Sequence, residues 1–131
     1  MIDVGSMEMK KWFDTNYHYI VPEFQPNQQF SLTSVHPAGL PKPVAEYLEA
    51  KSLGIETRPV ILGPLSFLLL GKSGDSSKPY SKFTDALTLL DSLLPVYQQL
   101  FSQLKDVGVQ EIQVDEPILC LDLDYEFMSK E

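Results

Sequence analysis

The sequence predicts an α/β fold with about three parallel strands and intervening helices. Strand-like and helix-like segments alternate along the chain. A short apolar strand is followed at once by Gly63-Pro64, and an apolar stripe recurs at helical spacing between residues 83 and 107. Strands that alternate with helices, each burying an apolar face, are typical of parallel α/β architecture.

The first predicted strand covers residues 11–21, which are rich in aromatic and β-branched side chains. Pro22 ends this strand, and the proline-rich residues 22–43 are predicted to form a long surface connection. Residues 44–54 then predict a short helix that closes at Gly54.

The second half of the chain predicts two more strands and the longest helix. Residues 60–62 are predicted to be a buried parallel strand, and the polar residues 71–82 a flexible connection. Residues 83–107 predict a helix that stops at Gly108, with a kink or break near Leu94 because Pro95 lies inside the pattern. Residues 111–115 form the last predicted strand.

Polar residues occur at the predicted strand ends, notably Asn16, Gly63-Pro64 and Asp115-Glu116. In α/β barrels, the carboxyl ends of the strands form the face that binds ligands. Three strands are too few for a complete barrel. The chain is therefore predicted to be a single segment, residues 1–131, that forms part of a (βα)8 TIM-type barrel.

Charge and hydropathy narrow the classes of partner. The net charge is −8, with 18 acidic residues against 10 basic ones. Such a chain lacks the positive surface that nucleic acids and anionic membranes require. No run reaches the ~18 apolar residues of a spanning helix, and the start has no signal-peptide pattern. We therefore expect a cytoplasmic protein whose partners are small molecules or other proteins.

The residues that favour metal or acid–base chemistry are few. Cys120 is the only cysteine, which excludes a disulfide within the chain and predicts a small core residue. His18 and His36 are the only histidines, so a hydrogen-bonded structural role is favoured over a metal site. Asp115 and Glu116 are the best candidates for acid chemistry, but neighbours on a strand face opposite ways and do not form a couple.

Two residues of the first strand suit an anionic ligand. Lys11 could pair with such a ligand as a point charge, although adjacent lysines at a strand start are more often solvated. Asn16 can donate and accept hydrogen bonds at once, which suits a carboxylate. Its alternative role is to cap a turn.

Residues 8–24, EMKKWFDTNYHYIVPEF, closely resemble the N-terminal half of the cobalamin-independent methionine synthase family, with some preference for its fungal branch. Later segments resemble the same half in the same order: GPLSFLLLGK at 63–72, LLPVYQQLFSQL at 93–104 and QVDEPILCLDL at 113–123. The resemblance implies a two-barrel methyltransferase of methionine biosynthesis that uses 5-methyltetrahydrofolate polyglutamate and homocysteine. It also implies zinc without cobalamin, with the zinc ligands in the other barrel and none in this chain.

The same resemblance assigns Lys11 and Asn16 to the binding of the folate polyglutamate tail. It leads us to expect that the chain lacks the opening part of its barrel and the catalytic barrel. On that expectation the chain is inactive alone and packs against the rest of a two-barrel protein. Two alternatives stay open: a free-standing, non-catalytic relic that binds folate or a protein partner, and a different enzyme on a related barrel, such as a decarboxylase or another thiol methyltransferase.

Overall fold

The computed structural model describes residues 8–34, 36–73 and 86–121. The first elements are β1 (Met9–Lys11), β2 (His18–Ile20), β3 (Glu23–Phe24), α1 (Lys42–Ser52) and β4 (Val60–Leu62). They are followed by α2 (Pro64–Leu69), β5 (Lys72–Ser73), α3 (Leu90–Asp106), β6 (Gln113–Asp115) and a 3-10 helix (Pro117–Cys120).

The described strands pair into three two-stranded sheets. β4 and β6 are parallel, as predicted, with Ile61 opposite Val114. β3 and β5 form a second parallel pair, whereas β1 and β2 are antiparallel. The α/β class is therefore confirmed. The arrangement differs from the expected three parallel strands because the first of those strands does not join β4 and β6.

The prediction of one strand over residues 11–21 is wrong, because a turn divides that stretch into β1 and β2. Thr15 holds the turn: its hydroxyl donates to the carbonyl oxygen of Trp12 at 2.6 Å, and its amide donates to the same oxygen at 3.2 Å. Phe13 has a φ of +51° within it. Asp14 and Asn16 favour turns and are the local signal that the alternating pattern concealed.

Parts of the two predicted connections are ordered into strands. Phe24, inside residues 22–43, is only 4% exposed and belongs to β3. Its partner strand β5 opens the predicted connection 71–82, of which residues 74–82 lie outside the described ranges. A side chain at Gly71 would overlap the Phe24 ring, so glycine allows the chain to pass close to β3.

The helices agree with prediction in the main. α1 begins and ends two residues earlier than the predicted helix, 44–54. Gly54 follows it with a φ of +75°. α2 was not predicted, because its apolar residues continue those of β4 without polar residues between them.

α3 confirms the long helix, and the expected break near Leu94 is wrong. The helix runs unbroken from Leu90 through Pro95, and a turn just before it marks its start. Residues 83–85 of the predicted helix lie outside the described ranges. Pro95 lies inside the helix and has no amide hydrogen, so the Asp91 carbonyl lacks the helical hydrogen bond that it would otherwise accept.

The core that the described residues form consists of two apolar clusters. One contains Phe24, Leu68, Ala86, Leu89 and Leu93, and the other contains Val44, Ile61, Leu100 and Leu104. Tyr97 of α3 packs against both clusters and so connects them.

Two burial predictions are wrong. In β4, Ile61 is buried but Val60 is 58% exposed, because the described residues leave one side of the β4–β6 pair uncovered. Cys120 is also exposed, because the 3-10 helix directs Ile118 into the interior instead. No helix within the described ranges is long and apolar enough to cross a membrane.

Candidate functional site

An open cavity of about 550 Å³ lies where β4 and β6 end. The two strands are joined there by a hydrogen bond of 2.7 Å from the Gly63 amide to the Asp115 carbonyl oxygen. The cavity is lined by Trp12, Leu62, Val114, Asp115, Glu116 and Pro117. The carboxyl ends of a parallel pair and the β1–β2 turn therefore border one concave surface, which is the usual place for a ligand in parallel α/β proteins.

Glu116 is engaged in holding α2 against the end of β6. Its carboxylate accepts hydrogen bonds from the Leu65 amide at 3.0 Å, the Ser66 amide at 2.7 Å and the Ser66 hydroxyl at 2.6 Å. Ser66 is fully buried. Any side chain at Gly63 would overlap the Glu116 carboxylate, so this junction requires glycine. Glu116 thus has a structural role at the cavity wall.

Asp115 is the more available of the two neighbouring acids. Its side chain is exposed, and one carboxylate oxygen accepts a hydrogen bond of 2.9 Å from Nε2 of the Gln113 side chain. The two carboxylates therefore have separate partners, as expected for adjacent residues.

Tyr97 fixes α3 to the last residue of β4. Its hydroxyl donates to the Leu62 carbonyl oxygen at 2.7 Å. Burial, with a smaller contribution from the negative charge of Glu116, raises the pKa of Tyr97 to about 12. The phenol is therefore neutral at physiological pH and serves as a hydrogen-bond donor there.

The hairpin formed by β1, the turn and β2 carries both residues that the resemblance assigns to folate. Lys11 ends β1 and is paired across the hairpin with His18. Asn16 lies in the turn, and its carbonyl oxygen is 3.0 Å from Nδ1 of His18. Both Lys11 and Asn16 are exposed, and within the described residues neither the ammonium nor the side-chain amide has a partner. The structure therefore brings the two onto one hairpin with their polar groups open to a ligand.

The other face of the hairpin is fastened to the rest of the fold. The Lys72 ammonium lies 3.1 Å from carboxylate oxygens of both Glu8 and Glu23. Hydrogen bonds to Glu23 and Glu8 raise the pKa of Lys72, and the bond to Lys72 lowers the pKa of Glu8. The Tyr19 hydroxyl adds a hydrogen bond of 2.9 Å to the Leu70 carbonyl oxygen.

Sequence reasoning missed Lys72, and no local signal could have identified it, because its partner Glu8 is 64 residues away. A single lysine that bridges β5, β3 and the start of the hairpin is visible only in the folded chain. It fixes the position of the hairpin and leaves the Lys11 face free.

The described residues contain no group of three His, Cys, Asp or Glu side chains that could hold a metal ion. Each histidine has a local hydrogen bond, from His18 to Asn16 and from the Ala38 amide to His36. We assign no zinc ligand to the described residues.

The chain belongs to the cobalamin-independent synthase family. Residues 2–130 match the model described as "Cobalamin-independent synthase, N-terminal domain". The description of the matched domain itself specifies a synthase that does not depend on cobalamin.

Named relatives make the resemblance more specific. The chain is 66% identical over 122 residues to the 5-methyltetrahydropteroyltriglutamate–homocysteine methyltransferase of Dictyostelium discoideum, covering 93% of the chain and 15% of that protein. Methyltransferases of the same name from Xylella fastidiosa (strain M23) and Saccharomyces cerevisiae are 53% and 49% identical over 123 and 122 residues. Those matches cover 94% and 93% of the chain, and 14% and 15% of the two relatives.

The chain therefore spans about 15% of the length of the first of these relatives. Identity to the yeast protein is lower than identity to the bacterial one, so these relatives do not support the expected preference for the fungal branch.

The Glu116 junction predicts a large loss of stability on substitution. Glu116→Ala leaves three donors of α2 without an acceptor, and at about 1 kcal/mol for each hydrogen bond the free energy of unfolding falls by about 3 kcal/mol. Urea unfolding followed by circular dichroism measures this loss. Asp115→Ala is the control, because it removes a single exposed hydrogen bond and should change stability little. Equal losses in the two variants would contradict the structural role of Glu116.

Tyr97 predicts a change at alkaline pH. Because its pKa is raised in the folded chain, the unfolded chain releases this proton first, and stability falls as the pH rises from the ordinary tyrosine range towards about 12. A tyrosinate absorbance titration should show a phase near pH 12 that Tyr97→Phe removes. The control Tyr17→Phe changes a phenol that is 69% exposed and should leave that phase in place. Loss of the phase in the control alone would refute the assignment.

Proposed function

We propose that this chain forms part of the N-terminal domain of an enzyme that transfers a methyl group from 5-methyltetrahydropteroyltriglutamate to homocysteine, which produces methionine. The relatives carry these two substrates in their names. Within the enzyme, the segment contributes to the binding of the glutamate tail of the donor, through Lys11 and Asn16.

The observation that carries this proposal is the placement of Lys11 and Asn16 on one exposed hairpin whose Trp12 borders the cavity. A triglutamate tail carries several carboxylates, which favour a fixed cation and a side-chain amide that donates hydrogen bonds. Lys10, the neighbour of Lys11, lies on the opposite face of β1, where its ammonium is 3.6 Å from the Glu8 carboxylate. One of the two adjacent lysines is thus paired with a carboxylate of this chain, and the other is open to a ligand.

The proposal includes the architecture and the cofactor of the whole enzyme. Residues 1–131 form a single segment of a (βα)8 TIM-type barrel, which the parallel β4–β6 pair and the helices between its strands support. Zinc belongs to the complete enzyme and would supply a thiolate from homocysteine, with ligands outside this chain. The remainder of a two-barrel polypeptide packs against the segment and covers its apolar edges, such as Val60.

The residues of this chain act on the donor by binding and orientation alone. Lys11 would contact a tail carboxylate as a charge-assisted hydrogen-bond donor, and Asn16 would bind a carboxylate or an amide of the γ-glutamyl links. Holding the tail fixes the donor relative to the rest of the enzyme, so these contacts lower the KM for the donor without taking part in methyl transfer.

A chimeric enzyme tests this proposal. The 122 matching residues of the Dictyostelium methyltransferase are replaced by those of this chain, and methyl transfer is assayed with the triglutamate donor and homocysteine. A charge-assisted contact contributes about 1.5–3 kcal/mol, so Lys11→Ala should raise the KM for the donor roughly tenfold or more. Asn16→Ala should raise it several-fold, and neither change should alter the KM for homocysteine.

Lys10→Ala is the matched control, since it removes an adjacent lysine that faces Glu8 and should leave the donor KM unchanged. Equal effects of Lys11→Ala on both substrates would contradict the assignment to the tail. A folded but inactive chimera would favour the alternative of a non-catalytic protein that binds folate or a partner chain.

A further inference from the structure

One face of the hairpin carries two groups that can be cationic at the same time. In β1 and β2 the residue pairs are Met9–Ile20, Lys10–Tyr19 and Lys11–His18. Side chains alternate between the faces of a strand, so Lys11 and His18 share a face with Met9 and Ile20. Met9 and Ile20 are 61% and 58% exposed, which shows that no described element covers this face.

The pattern of backbone hydrogen bonds brings the side chains of Lys11 and His18 close together. The Trp12 amide donates to the Tyr17 carbonyl oxygen at 2.7 Å, and the Val21 amide donates to that of Glu8 at 2.8 Å. Hydrogen-bonded and non-hydrogen-bonded pairs alternate along an antiparallel ladder, so Lys11–His18 is a non-hydrogen-bonded pair. Side chains of such pairs approach more closely than those of the hydrogen-bonded kind.

The hydrogen bond of His18 settles which ring nitrogen can take up a proton. Nδ1 lies 3.0 Å from the Asn16 carbonyl oxygen, which can only accept, so Nδ1 carries hydrogen and donates. Nε2 is then the nitrogen that changes protonation. The same bond ties the ring to Asn16, so Lys11, Asn16 and His18 form one cluster on the hairpin.

Among the described residues, the charged neighbours of His18 on the hairpin are Lys11, its cross-strand partner, and Asp14 in the turn. The charged groups on the opposite face of the hairpin form a separate network made of Glu8, Lys10, Glu23 and Lys72. A polyanion that binds between Lys11 and His18 favours a positive charge on both side chains.

We propose that His18 is a third binding residue for the glutamate tail, and that it takes up a proton at Nε2 when the tail binds, so that tail affinity rises as the pH falls. The inference rests on the proposed function, since it assumes that the tail lies on this face. The proton comes from solvent and is returned when the tail leaves. The affinity of this site for the donor then depends on both the number of glutamates in the tail and the pH.

Calorimetric titration of the 131-residue chain with 5-methyltetrahydropteroyltriglutamate at pH 5.5 and pH 8.0 tests this inference, with the monoglutamate as comparison ligand. Carboxylates with ordinary pKa values of about 3.3–4.3 stay ionised at both pH values, so the ligand does not cause the change. We expect the triglutamate to bind about tenfold more tightly at pH 5.5, as one added charge-assisted contact predicts. Titrations at pH 7 in buffers of different ionisation enthalpy should show net proton uptake.

His18→Asn is the decisive variant, because its amide can still donate to the Asn16 carbonyl oxygen but cannot take up a proton. It should bind the triglutamate at both pH values with the affinity that the wild type has at pH 8.0, and without proton uptake. His36→Gln controls for the second histidine, whose Nδ1 accepts from the Ala38 amide away from the hairpin.

The outcomes separate this inference from the proposed function. Binding by the wild type that depends on Lys11 but not on pH would overturn the role of His18 alone. Retention of the pH dependence in His18→Asn would do the same. If only the chimeric enzyme binds the triglutamate, the same titrations are made with the chimera. Absence of triglutamate binding at both pH values in the folded chain and in the chimera alike would overturn the tail site and the inference with it.

Discussion

The candidate site depends on the hydrogen bonds that the Glu116 carboxylate accepts. This carboxylate joins the end of β6 to the first turn of α2 through three hydrogen bonds, and it requires Gly63 beside it. Tyr97 then fixes α3 to the end of β4. These contacts replace solvent by protein partners at the point where two parallel strands stop, so the cavity has a wall of defined shape.

The hairpin is held to this framework by one face and is open on the other. Lys72 contacts Glu8 and Glu23 at exposed positions, where ion pairs add little stability but can fix a position. Trp12 packs edge-on against Tyr19 within the hairpin, with the ring centroids 5.6 Å apart, and its side chain borders the cavity. The two faces of the hairpin therefore differ. Side chains on one face attach the hairpin to the fold, and side chains on the other are available to a ligand, which explains why this short stretch contains so many aromatic and polar residues.

The sequence predicted α1, α3, β4 and β6 because each has a clear apolar period or a clear boundary. It did not predict the turn after Lys11, because the residues of that turn also fit the alternating pattern of one longer strand. It did not predict β3 and β5, which pair across distant parts of the chain, or α2, which lies within one apolar run. Lys11 and Asn16 were identified by family resemblance and not by their chemistry, which by itself left both roles open. The partners of Glu116 and Lys72 lie 49 to 64 residues away in the chain, so local sequence patterns could not identify them.

A crystal structure of this chain with bound 5-methyltetrahydropteroyltriglutamate would show whether the glutamate tail lies on the hairpin. We predict a tail carboxylate within hydrogen-bonding distance of the Lys11 ammonium and a second polar group of the tail at the side-chain amide of Asn16. A tail that is ordered elsewhere on the molecule, with the Lys11 face of the hairpin still open to solvent, would contradict this prediction.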